Sequence, residues 1–584
     1  MNVVGFSGIA DGEFYRKKYG LRFVGHDASV AVIADGKVVF AAEEERFSRE
    51  KHTSSFPILA FHAALDHTGL KMGEIDALAY PWHVDWKQFI GMSLYHGPRV
   101  PLRYAPAMAL AGVRVIRDLM SPQRVGGQFA RAIGCSLPTC EGVGHHRSHS
   151  AAAYFLSPFT DAAVLTIDGQ GEDESGSLGE WNGRTYRHIQ SVRAPNSIGI
   201  LYGMVTDFLG MRAAWDEYKV MGMAAYGDAD RFSKVFERIV RFSKEGRFST
   251  RRTAMVFSPG YCNAMLSKLF AIPPRKREED LEQVHFDIAA SLQRITEKTV
   301  FHLLEHLRAC TKSENLCLGG GVFQNSVING KIRFSGLFKK IFIPPVPGDN
   351  GAAVGAALQV YYDKNPGSKR VDSGFTPFCG PRLELVEAAC SGHKDLRFQR
   401  LDNPVEAVAR LLMDRKIVAC VRGRMEFGAR ALGHRSILAS PLDRQMRDKV
   451  NAQVKHRERF RPFAGSVPVE SAAEFFDIQD SSPYMQEVLP IRPQAEKMLG
   501  AISHFGTCRV QTVSAASDPF FHALLRSFGR LSGLPVLLNT SFYDADEPIV
   551  CSAKDALRAF TRMDLDAMLL DDFLVTKLDS NLKV

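Results

Sequence analysis

The sequence predicts an α/β protein with more than one domain. Short apolar or β-branched segments that end near Gly, Asp or Pro alternate with amphipathic helical segments. The chain has 584 residues, and single hydrophobic cores stop growing beyond about 250–300 residues. A stretch rich in Gly, Pro and Ser at 363–381 separates a small-residue helix from a new apolar pattern. The domains are therefore predicted at 1–370 and 395–584.

The individual elements follow from local patterns. Residues 284–307 carry apolar side chains at helical spacing, which predicts a helix that faces the core. Asp35-Gly36 marks the turn of a predicted β-hairpin within 24–39. No internal repeat is visible. Strands are predicted at 2–6, 30–33, 38–42, 162–167, 315–318 and 340–343.

Composition and charge exclude several classes of protein. Hydrophobic residues make up 45% of the chain and charged residues 23%, which is ordinary for a soluble globular protein. No run of about 18 apolar residues predicts a membrane span, and the N-terminus lacks an apolar signal core. The ten cysteines have no CxxC pairing, which argues against a zinc ribbon or disulfide framework and favours a cytoplasmic location. A net charge of +9 fits anionic small-molecule ligands and does not require nucleic acid.

The densest chemical signal is HHRSH at 145–149. On a helix, His145 and His149 share one face and can converge on a metal ion, whereas His146 points elsewhere. For an isolated HxxxH pattern, a hydrogen-bonded histidine cluster at a helix start is the more common explanation. Further ligands are needed to favour a metal.

Carboxylates at two strand ends supply such ligands. In VLTIDGQGE (164–172) an apolar strand runs directly into Asp168, which is followed by glycines. CLGGGVFQN (317–325) repeats the strand-then-glycine pattern, and PPVPGDNGAAVGAA (344–357) places Asp349 before an Ala/Gly helix. Glycine-rich turns beside carboxylates are typical of phosphate or metal sites. The charged segment AAEEERFSREKH (41–52) is by itself best explained as a helix start.

The second domain concentrates basic residues beside predicted strand ends. They lie in VRGRMEFGARALGHRS (421–436), VKHRERFRPF (454–463) and TCRVQTV (507–513), and a further strand ends at Asn539-Thr540-Ser541. Arginines and lysines at such positions can neutralise phosphates. A solvated basic face or an RNA-binding patch is the alternative, and the interleaving with Gly, Pro and apolar residues disfavours it.

Seven motifs together resemble one known family. HDAS, EEERFxRxKH, HHxSH, DGxGE, DEYKVMGMAAYG (216–227), GGGVFQN and PGDNGAAVGAA occur in the order of the O-carbamoyltransferases that include nodulation protein U and the cephamycin and tobramycin enzymes. The resemblance covers nearly the whole chain. It implies an actin/sugar-kinase/Hsp70-like first domain, similar to the threonylcarbamoyltransferase of tRNA, and an α+β YrdC-like second domain.

The resemblance also implies the ligands and the residues that hold them. The first domain would bind a divalent metal, with iron expected and manganese or zinc compatible, and the second would form carbamoyladenylate from Mg-ATP and carbamoyl phosphate. The implied metal ligands are His145, His149, Asp168 and Asp349. The implied nucleotide site of the first domain comprises Lys51, Gly169, Gly319, Gly320 and Asn325. The implied carbamoyl phosphate and ATP site comprises Arg430, Lys455, Arg461, Arg509 and Ser541.

The acceptor would be a hydroxyl of a natural-product or sugar-like small molecule. We expect His26 to remove the hydroxyl proton as a neutral imidazole, with the adjacent Asp27 holding its tautomer and raising its basicity. A histidine that only orients the substrate is the competing interpretation. A tRNA-modifying enzyme of the threonylcarbamoyl type and an inactive nucleotide-binding regulator are the alternative functions. Segments 9–24 and 80–135 match no motif, and they are either acceptor-recognition segments or surface insertions.

The chain departs from the family pattern at three places. The family usually has Pro at the position of Ala429, Asn at that of His434, and an Asn-x-x-Gly-Glu-Pro sequence where this chain has Tyr543 to Pro548 with Asp546 in place of Gly. These changes alter loop stiffness more than charge. We therefore expect altered loop geometry with the same chemistry.

Overall fold

The chain folds as two compact units. The computed structural model describes residues 1–10, 26–84, 121–250, 259–372, 374–384, 386–391 and 393–578, so that most of segment 9–24 and the part 85–120 lie outside the described residues. One unit comprises Met1–Glu44 and His52–Phe375, and the other comprises Glu45–Lys51 and Thr376–Val584. The division after Phe375 falls within the predicted linker, whereas Glu45–Lys51 joins the second unit although it lies in the predicted first domain.

Two five-stranded sheets form the framework of the first unit. Their orders are β3-β2-β1-β4-β5 and β12-β11-β6-β7-β8, and β9 and β10 form a separate two-stranded ribbon. The strands are β1 Asn2–Ser7, β2 Ser29–Ala34, β3 Lys37–Glu43, β4 Ala77–Tyr80, β5 Cys140–Gly142, β6 Asp161–Ile167, β7 Glu174–Asn182, β8 Thr185–Arg193, β9 Val240–Phe242, β10 Phe248–Thr250, β11 Asn315–Gly319 and β12 Lys340–Phe342.

Both sheets have the same topology. In each sheet, three strands that are consecutive in the chain pair antiparallel: β1, β2 and β3 in one sheet and β6, β7 and β8 in the other. Two later strands then extend the sheet in parallel from the first of the three, β4 and β5 from β1, and β11 and β12 from β6. This duplicated order is that of the actin/sugar-kinase fold that the resemblance implies. The repeat was not visible in the sequence, because a shared strand order constrains hydrophobic pattern far more than residue identity.

The predicted elements of this unit are confirmed. All six predicted strands occur within one or two residues of the expected bounds. The hairpin turn places Asp35 and Gly36 at φ values of 48° and 80°, as a turn with two left-handed residues requires. The predicted helix at 284–307 is Gln283–Cys310, and Ile288, Leu292 and Leu303 on it are buried.

The other helices of the first unit cover the two sheets. Among the described residues, no helix has both the length and the apolar composition to cross a membrane. The α-helices are Ile58–Thr68, Pro122–Ala132, His145–Phe155, Ile198–Phe208, Glu217–Met223, Ser233–Ile239, Pro259–Phe270, Gln283–Cys310, Ser326–Phe334 and Asp349–Lys364, with 3₁₀ turns at Met72–Glu74, Ala224–Tyr226 and Gly321–Gln324.

Two of these helices pack unusually closely. We call His145–Phe155 the histidine helix and Asp349–Lys364 the small-residue helix. A Cβ added at Gly355 would lie 1.8 Å from the backbone oxygen of Ser148, and one added at Gly5 of β1 would lie 2.1 Å from that of Ala353. The missing side chains let the small-residue helix contact both β1 and the histidine helix through backbone atoms.

A single nine-stranded mixed sheet organises the second unit. Its order is β13-β21-β20-β14-β15-β19-β16-β18-β17. Only the β14–β20 and β16–β18 pairs within it are parallel. The strands are β13 Leu396–Arg400, β14 Val418–Val421, β15 Arg435–Ala439, β16 Ala464–Pro468, β17 Val488–Pro490, β18 Thr507–Val513, β19 Leu537–Ser541, β20 Ala567–Leu570 and β21 Phe573–Lys577.

Apolar side chains project from both faces of this sheet. In β14, Val418 and Cys420 join one hydrophobic cluster, and Ala419 and Val421 join the other. A strand buried on both sides reads as a continuous apolar run, as VACV does. The helices are Val386–Cys390, Pro404–Met413, Arg444–Lys449, Ala472–Phe475, Pro519–Ser532 and Ala553–Arg562, with shorter turns at Val450–Val454, Val469–Ser471 and Pro493–Ala495.

The inserted segment Glu45–Lys51 is anchored in the second unit by arginines. It contains the helical turn Glu45–Ser48. Arg46 is buried and donates to the backbone oxygen of Gly428 at 2.7 Å. Arg49 donates to the backbone oxygens of Ile549 and Pro548, each at 2.7 Å. Of the charged segment 41–52 that the sequence suggested as a helix start, Glu45–Lys51 is therefore a structural part of the second unit.

The contact at Gly355 predicts a strong dependence of stability on residue size. Gly355→Ala should lower the free energy of unfolding by about 1–3 kcal/mol, because two helix backbones must separate to admit the methyl group. Chemical denaturation of the full chain measures the loss. Gly127→Ala is the matched control, because Gly127 lies in the helix Pro122–Ala132 with open space around its Cβ position, and alanine there should stabilise by roughly 0.5–1 kcal/mol. Equal stability of the two variants would contradict the packing.

Candidate functional site

Four side chains predicted as metal ligands converge in the first unit. His145 and His149 lie on the first two turns of the histidine helix, which follows β5. Asp168 comes directly after β6, and Asp349 is the first residue of the small-residue helix after β12. Because β5, β6 and β12 deliver these residues at their carboxyl ends, positions distant in the chain meet at one point.

The four ligand atoms form a tight group. They lie within 4.8 Å of one another. His149 Nε2 is 3.0 Å from Asp168 Oδ2, 3.4 Å from Asp349 Oδ1 and 3.1 Å from His145 Nε2. His145 Nε2 is 3.7 Å from Asp168 Oδ2 and 3.6 Å from Asp349 Oδ1. Both histidines are buried.

This arrangement fits a divalent cation. Bonds of about 2.1 Å to nitrogen and oxygen set neighbouring ligand atoms roughly 3.0–3.4 Å apart, close to the observed separations. The burial of His149 lowers its pKa, but Asp168 and Asp349 raise that pKa to about 9. The two carboxylates therefore favour the binding of a positive charge in the cluster, either a proton or a metal cation. Two imidazoles and two carboxylates suit iron, manganese or zinc.

The surroundings of the cluster hold the ligands in place. Glu172 accepts hydrogen bonds from the backbone amides of His145, at 2.9 Å, and His83, at 2.9 Å, and so caps the histidine helix. The indole of Trp82 stacks on the His145 ring with 4.1 Å between centroids. Asp168 Oδ2 accepts from the Gly321 amide at 3.1 Å. His146 points away to Thr166 Oγ1, at 3.0 Å, as the helical spacing predicts.

His26 lies beside this cluster. Its Nδ1 is 2.8 Å from Asp27 Oδ2, and its Nε2 is 3.8 Å from Asp349 Oδ2. Burial lowers the pKa of His26, but Asp27, Asp349 and Asp168 raise it further, to about 10. Three carboxylates thus favour the protonated ring, in the direction expected from Asp27, and the role of His26 as a base stays a prediction.

The residues predicted for a nucleotide in the first domain are only partly brought together. The backbone N–H of Gly169 donates a hydrogen bond to Asp168 Oδ1 at 2.6 Å. Gly319 is the last residue of β11 and lies beside His149. Gly320 follows with φ at 92°, a conformation that requires glycine. The Asn325 side chain caps the helix Ser326–Phe334 and donates to Gln293 Oε1 at 2.9 Å. Lys51 belongs to the second unit instead.

In the second unit, the predicted phosphate-binding residues form one cationic cluster. Burial lowers the pKa of Arg509, and the neighbouring Arg430, Arg457 and Arg461 lower it further. Lys455 is buried and donates to the backbone oxygens of Ser541, at 3.0 Å, and Tyr543, at 2.9 Å. We call Lys51, Arg430, Lys455, Arg457, Arg461, Arg509 and Tyr543 the cationic cluster.

The positive charge of this cluster acts on the phenol of Tyr543. The Lys455 and Lys51 ammonium groups lie 3.3 Å and 4.9 Å from the centroid of its ring. Burial raises the pKa of the Tyr543 phenol, but Lys455, Arg461 and Lys51 lower it to about 6. Burial also lowers the pKa of Lys455, to about 7. A site that ionises a phenol at neutral pH favours anions, and phosphates are the anions that arginine and lysine bind best.

The departures from the family pattern have local compensations. Asp546 takes φ of 60°, the left-handed conformation that the usual glycine would favour and that Asp tolerates better than most residues. The His434 ring stacks on Phe378 at 3.8 Å between centroids, and its Nδ1 lies 2.5 Å from the Arg424 carbonyl oxygen. These contacts and this conformation describe the loops of this chain, and the altered loop geometry relative to the family stays a prediction.

Sequence reasoning missed several residues of both sites. Glu172 and Trp82 support the histidine helix, and Tyr543 joins the cationic cluster, as does Arg457, which the sequence indicated as a basic residue without assigning it to the site. Glu172 and Tyr543 stood inside quoted motifs, but their contacts depend on segments distant in the chain. His52, which ends the EEERFSREKH motif, contacts Asp27 beside His26. An acidic or aromatic residue in a motif does not by itself indicate such a partner.

Comparisons with known proteins agree with this picture. Residues 17–358 match the family model for the carbamoyltransferase N-terminus, and residues 409–577 match that for the carbamoyltransferase C-terminus. Nodulation protein NolNO of Sinorhizobium fredii is 34% identical over 94% of this chain and 79% of its own. Nodulation protein NolO of Bradyrhizobium diazoefficiens is 38% identical over 76% of this chain and 80% of its own.

Among solved structures, T. kodakarensis HypF is 14% identical and covers 62% of this chain and 48% of its own, with a TM-score of 0.31. That similarity is too low to add to the fold or the function. The two family models, by contrast, follow each other in chain order and together include every residue of both sites. The chain therefore belongs to the carbamoyltransferase family and is a carbamoyltransferase.

Proposed function

We propose that this carbamoyltransferase transfers the carbamoyl group of carbamoyl phosphate to a hydroxyl of a small, sugar-like or natural-product acceptor, with ATP consumed and carbamoyladenylate as the intermediate. The presence of two chemically different sites in one chain supports this most directly. One is a cluster of imidazoles and carboxylates suited to a divalent cation. The other is a cationic cluster suited to phosphates. Simple transfer from carbamoyl phosphate would need only one phosphate site.

The second unit is the proposed site of adenylate formation. Water would first hydrolyse carbamoyl phosphate to carbamate and phosphate, and a carbamate oxygen would then attack the α-phosphorus of ATP, which yields carbamoyladenylate and releases pyrophosphate. The guanidinium groups of Arg430, Arg461 and Arg509 would bind phosphate oxygens, with Mg²⁺ accompanying ATP. Lys455 is already oriented by the carbonyls of Ser541 and Tyr543, so its third N–H can point to a phosphate. Phosphate binding would also favour the charged form of Lys455, whose pKa burial lowers.

The first unit is the proposed site of transfer. His145, His149, Asp168 and Asp349 would hold a divalent ion, which we propose is iron(II). Such an ion would neutralise Asp168 and Asp349, lower the pKa of His26 and polarise a carbonyl oxygen. His26 would then accept the proton of the acceptor hydroxyl at Nε2, because its Nδ1 is committed to Asp27. Gly169 places backbone beside Asp168, and Gly319 and Gly320 place it beside His149 and Ile167, where a nucleotide phosphate could bind.

Incubation with labelled donor tests the function as a whole. The full chain, ATP, Mg²⁺, iron(II) and ¹³C-carbamoyl phosphate are combined with a polar metabolite extract of the source organism. We expect one or more small molecules to gain the mass of one labelled carbamoyl group, and omission of ATP should abolish the gain. Label in the tRNA fraction instead would favour the threonylcarbamoyl-type alternative. Tight ATP binding without any labelled product would favour an inactive regulator.

Metal binding should depend on the ligand histidines and not on their neighbour. His149→Ala should lower the metal content of the purified protein and its transfer activity together, because loss of a ligand from a four-residue site weakens binding strongly. Elemental analysis measures the metal per chain. His146→Asn is the matched control on the same helix, since His146 contacts Thr166 and lies outside the ligand group. Full occupancy in His149→Ala would remove the assignment.

Adenylate formation should depend on the cationic cluster. Arg461→Ala and Lys455→Ala should each slow carbamoyl-phosphate-dependent pyrophosphate release by about 10²-fold or more, because an unpaired phosphate charge at a buried site costs roughly 3 kcal/mol. Arg459→Ala is the matched control, since Arg459 lies between the two but is exposed. Pyrophosphate release at the normal rate in Arg461→Ala and Lys455→Ala would place the adenylation site elsewhere.

A further inference from the structure

One carboxylate of the first unit is shared by two histidines. Asp27 Oδ2 lies 2.8 Å from His26 Nδ1, and Asp27 Oδ1 lies 2.6 Å from His52 Nδ1. Burial raises the pKa of Asp27, but His52 and His26 lower it far more, so the carboxyl group stays ionised. An ionised carboxylate only accepts hydrogen bonds, and both histidines must therefore carry a proton on Nδ1. The Nε2 atom of His26 is left on the side of Asp349.

The backbone at this carboxylate is left-handed at two residues. Asp27 and His52 have φ at 59° and 54°, a conformation that Asp and His adopt more readily than most residues. In this conformation the two side chains lie within hydrogen-bond distance of each other.

His52 is itself held by aromatic packing. Its ring lies 5.1 Å from that of Trp215, measured between centroids. The Arg212 guanidinium carbon in turn lies 4.6 Å from the centroid of the Trp215 ring. Trp215 directly precedes the DEYKVMGMAAYG motif. A continuous series of contacts thus runs from Arg212 through Trp215, His52 and Asp27 to His26.

We propose that His52 is a positioning residue for carbamoyl transfer, which acts by fixing the Asp27 carboxylate that holds His26. This inference rests on the proposed function, because it takes His26 as the group that accepts the hydroxyl proton. Without a donor at His52, Asp27 Oδ1 loses its hydrogen bond and the carboxylate is free to rotate. His26 then loses its fixed orientation, and the proton acceptor moves out of line with the hydroxyl.

Two substitutions separate the hydrogen bond from the packing. His52→Phe keeps a ring against Trp215 but removes the donor, and His52→Asn places an amide N–H near the position of Nδ1 but removes the ring. We expect His52→Phe to slow transfer of ¹³C-carbamoyl to the metabolite extract by about 10–100-fold, and His52→Asn to recover most of the rate. Pyrophosphate release by the second unit is measured in parallel as the internal control.

A double-mutant cycle then decides whether His52 acts through His26. His26→Asn alone should slow transfer by about 10²-fold or more. In the His26→Asn background, His52→Phe should cause no further loss, because the residue on which it acts is gone. Equal fold losses from His52→Phe in both backgrounds would overturn the inference and assign His52 a general structural role. Transfer at the wild-type rate in His52→Phe would overturn it as well.

A second measurement does not depend on activity. In the ¹H NMR spectrum of the metal-free full chain, we expect a low-field signal from the His26 Nδ1–H, identified by its absence in His26→Asn. The signal should shift or broaden in His52→Phe and return in His52→Asn. An unchanged signal in His52→Phe would overturn the inference. If the wild-type chain transfers no label, the proposed function itself fails, whereas an active wild type with an insensitive His52→Phe variant removes only the positioning role.

Discussion

The candidate metal centre depends on the close approach of two helix backbones. The small-residue helix carries Asp349 and the histidine helix carries His145 and His149, and they meet where Gly355 faces the backbone oxygen of Ser148. Gly5 allows the same helix to contact β1. Small side chains therefore bring a carboxylate from residue 349 to two imidazoles about 200 positions earlier, and any side chain at Gly355 would separate them.

Electrostatic balance is the second constraint in the first unit. Asp27, Asp168 and Asp349 gather around histidines that are largely desolvated, and they raise the pKa of His26 and of His149. Carboxylates that are largely removed from water need compensating positive charge. Protons on the imidazoles provide it in the metal-free site, and the proposed metal would provide it in the loaded enzyme. The same residues can thus bind a cation and, once it is bound, offer a neutral imidazole as a base.

The second unit has the opposite balance. Its cationic cluster brings several guanidinium and ammonium groups together, and their positive charge lowers the pKa of Tyr543. Tyr543 occupies the position where the family usually has Asn, so this chain adds an acidic phenol to the cluster. Lys51 reaches it because Arg46 and Arg49 anchor the segment Glu45–Lys51 in this unit. A motif near the N-terminus thereby contributes to a site built mainly from residues after 420.

Hydrophobic periodicity is a local property, so the α/β class and the strands and long helix of the first unit could be predicted from the sequence, and the resemblance to the family supplied the set of candidate ligands. Which of those residues meet depends on the tertiary structure. It placed Lys51 in the second unit, used Asn325 as a helix cap, revealed two sheets of the same topology, and joined His52 to Asp27 and His26. These outcomes depend on contacts between segments far apart in the chain, and such contacts leave no signal in any short stretch of sequence.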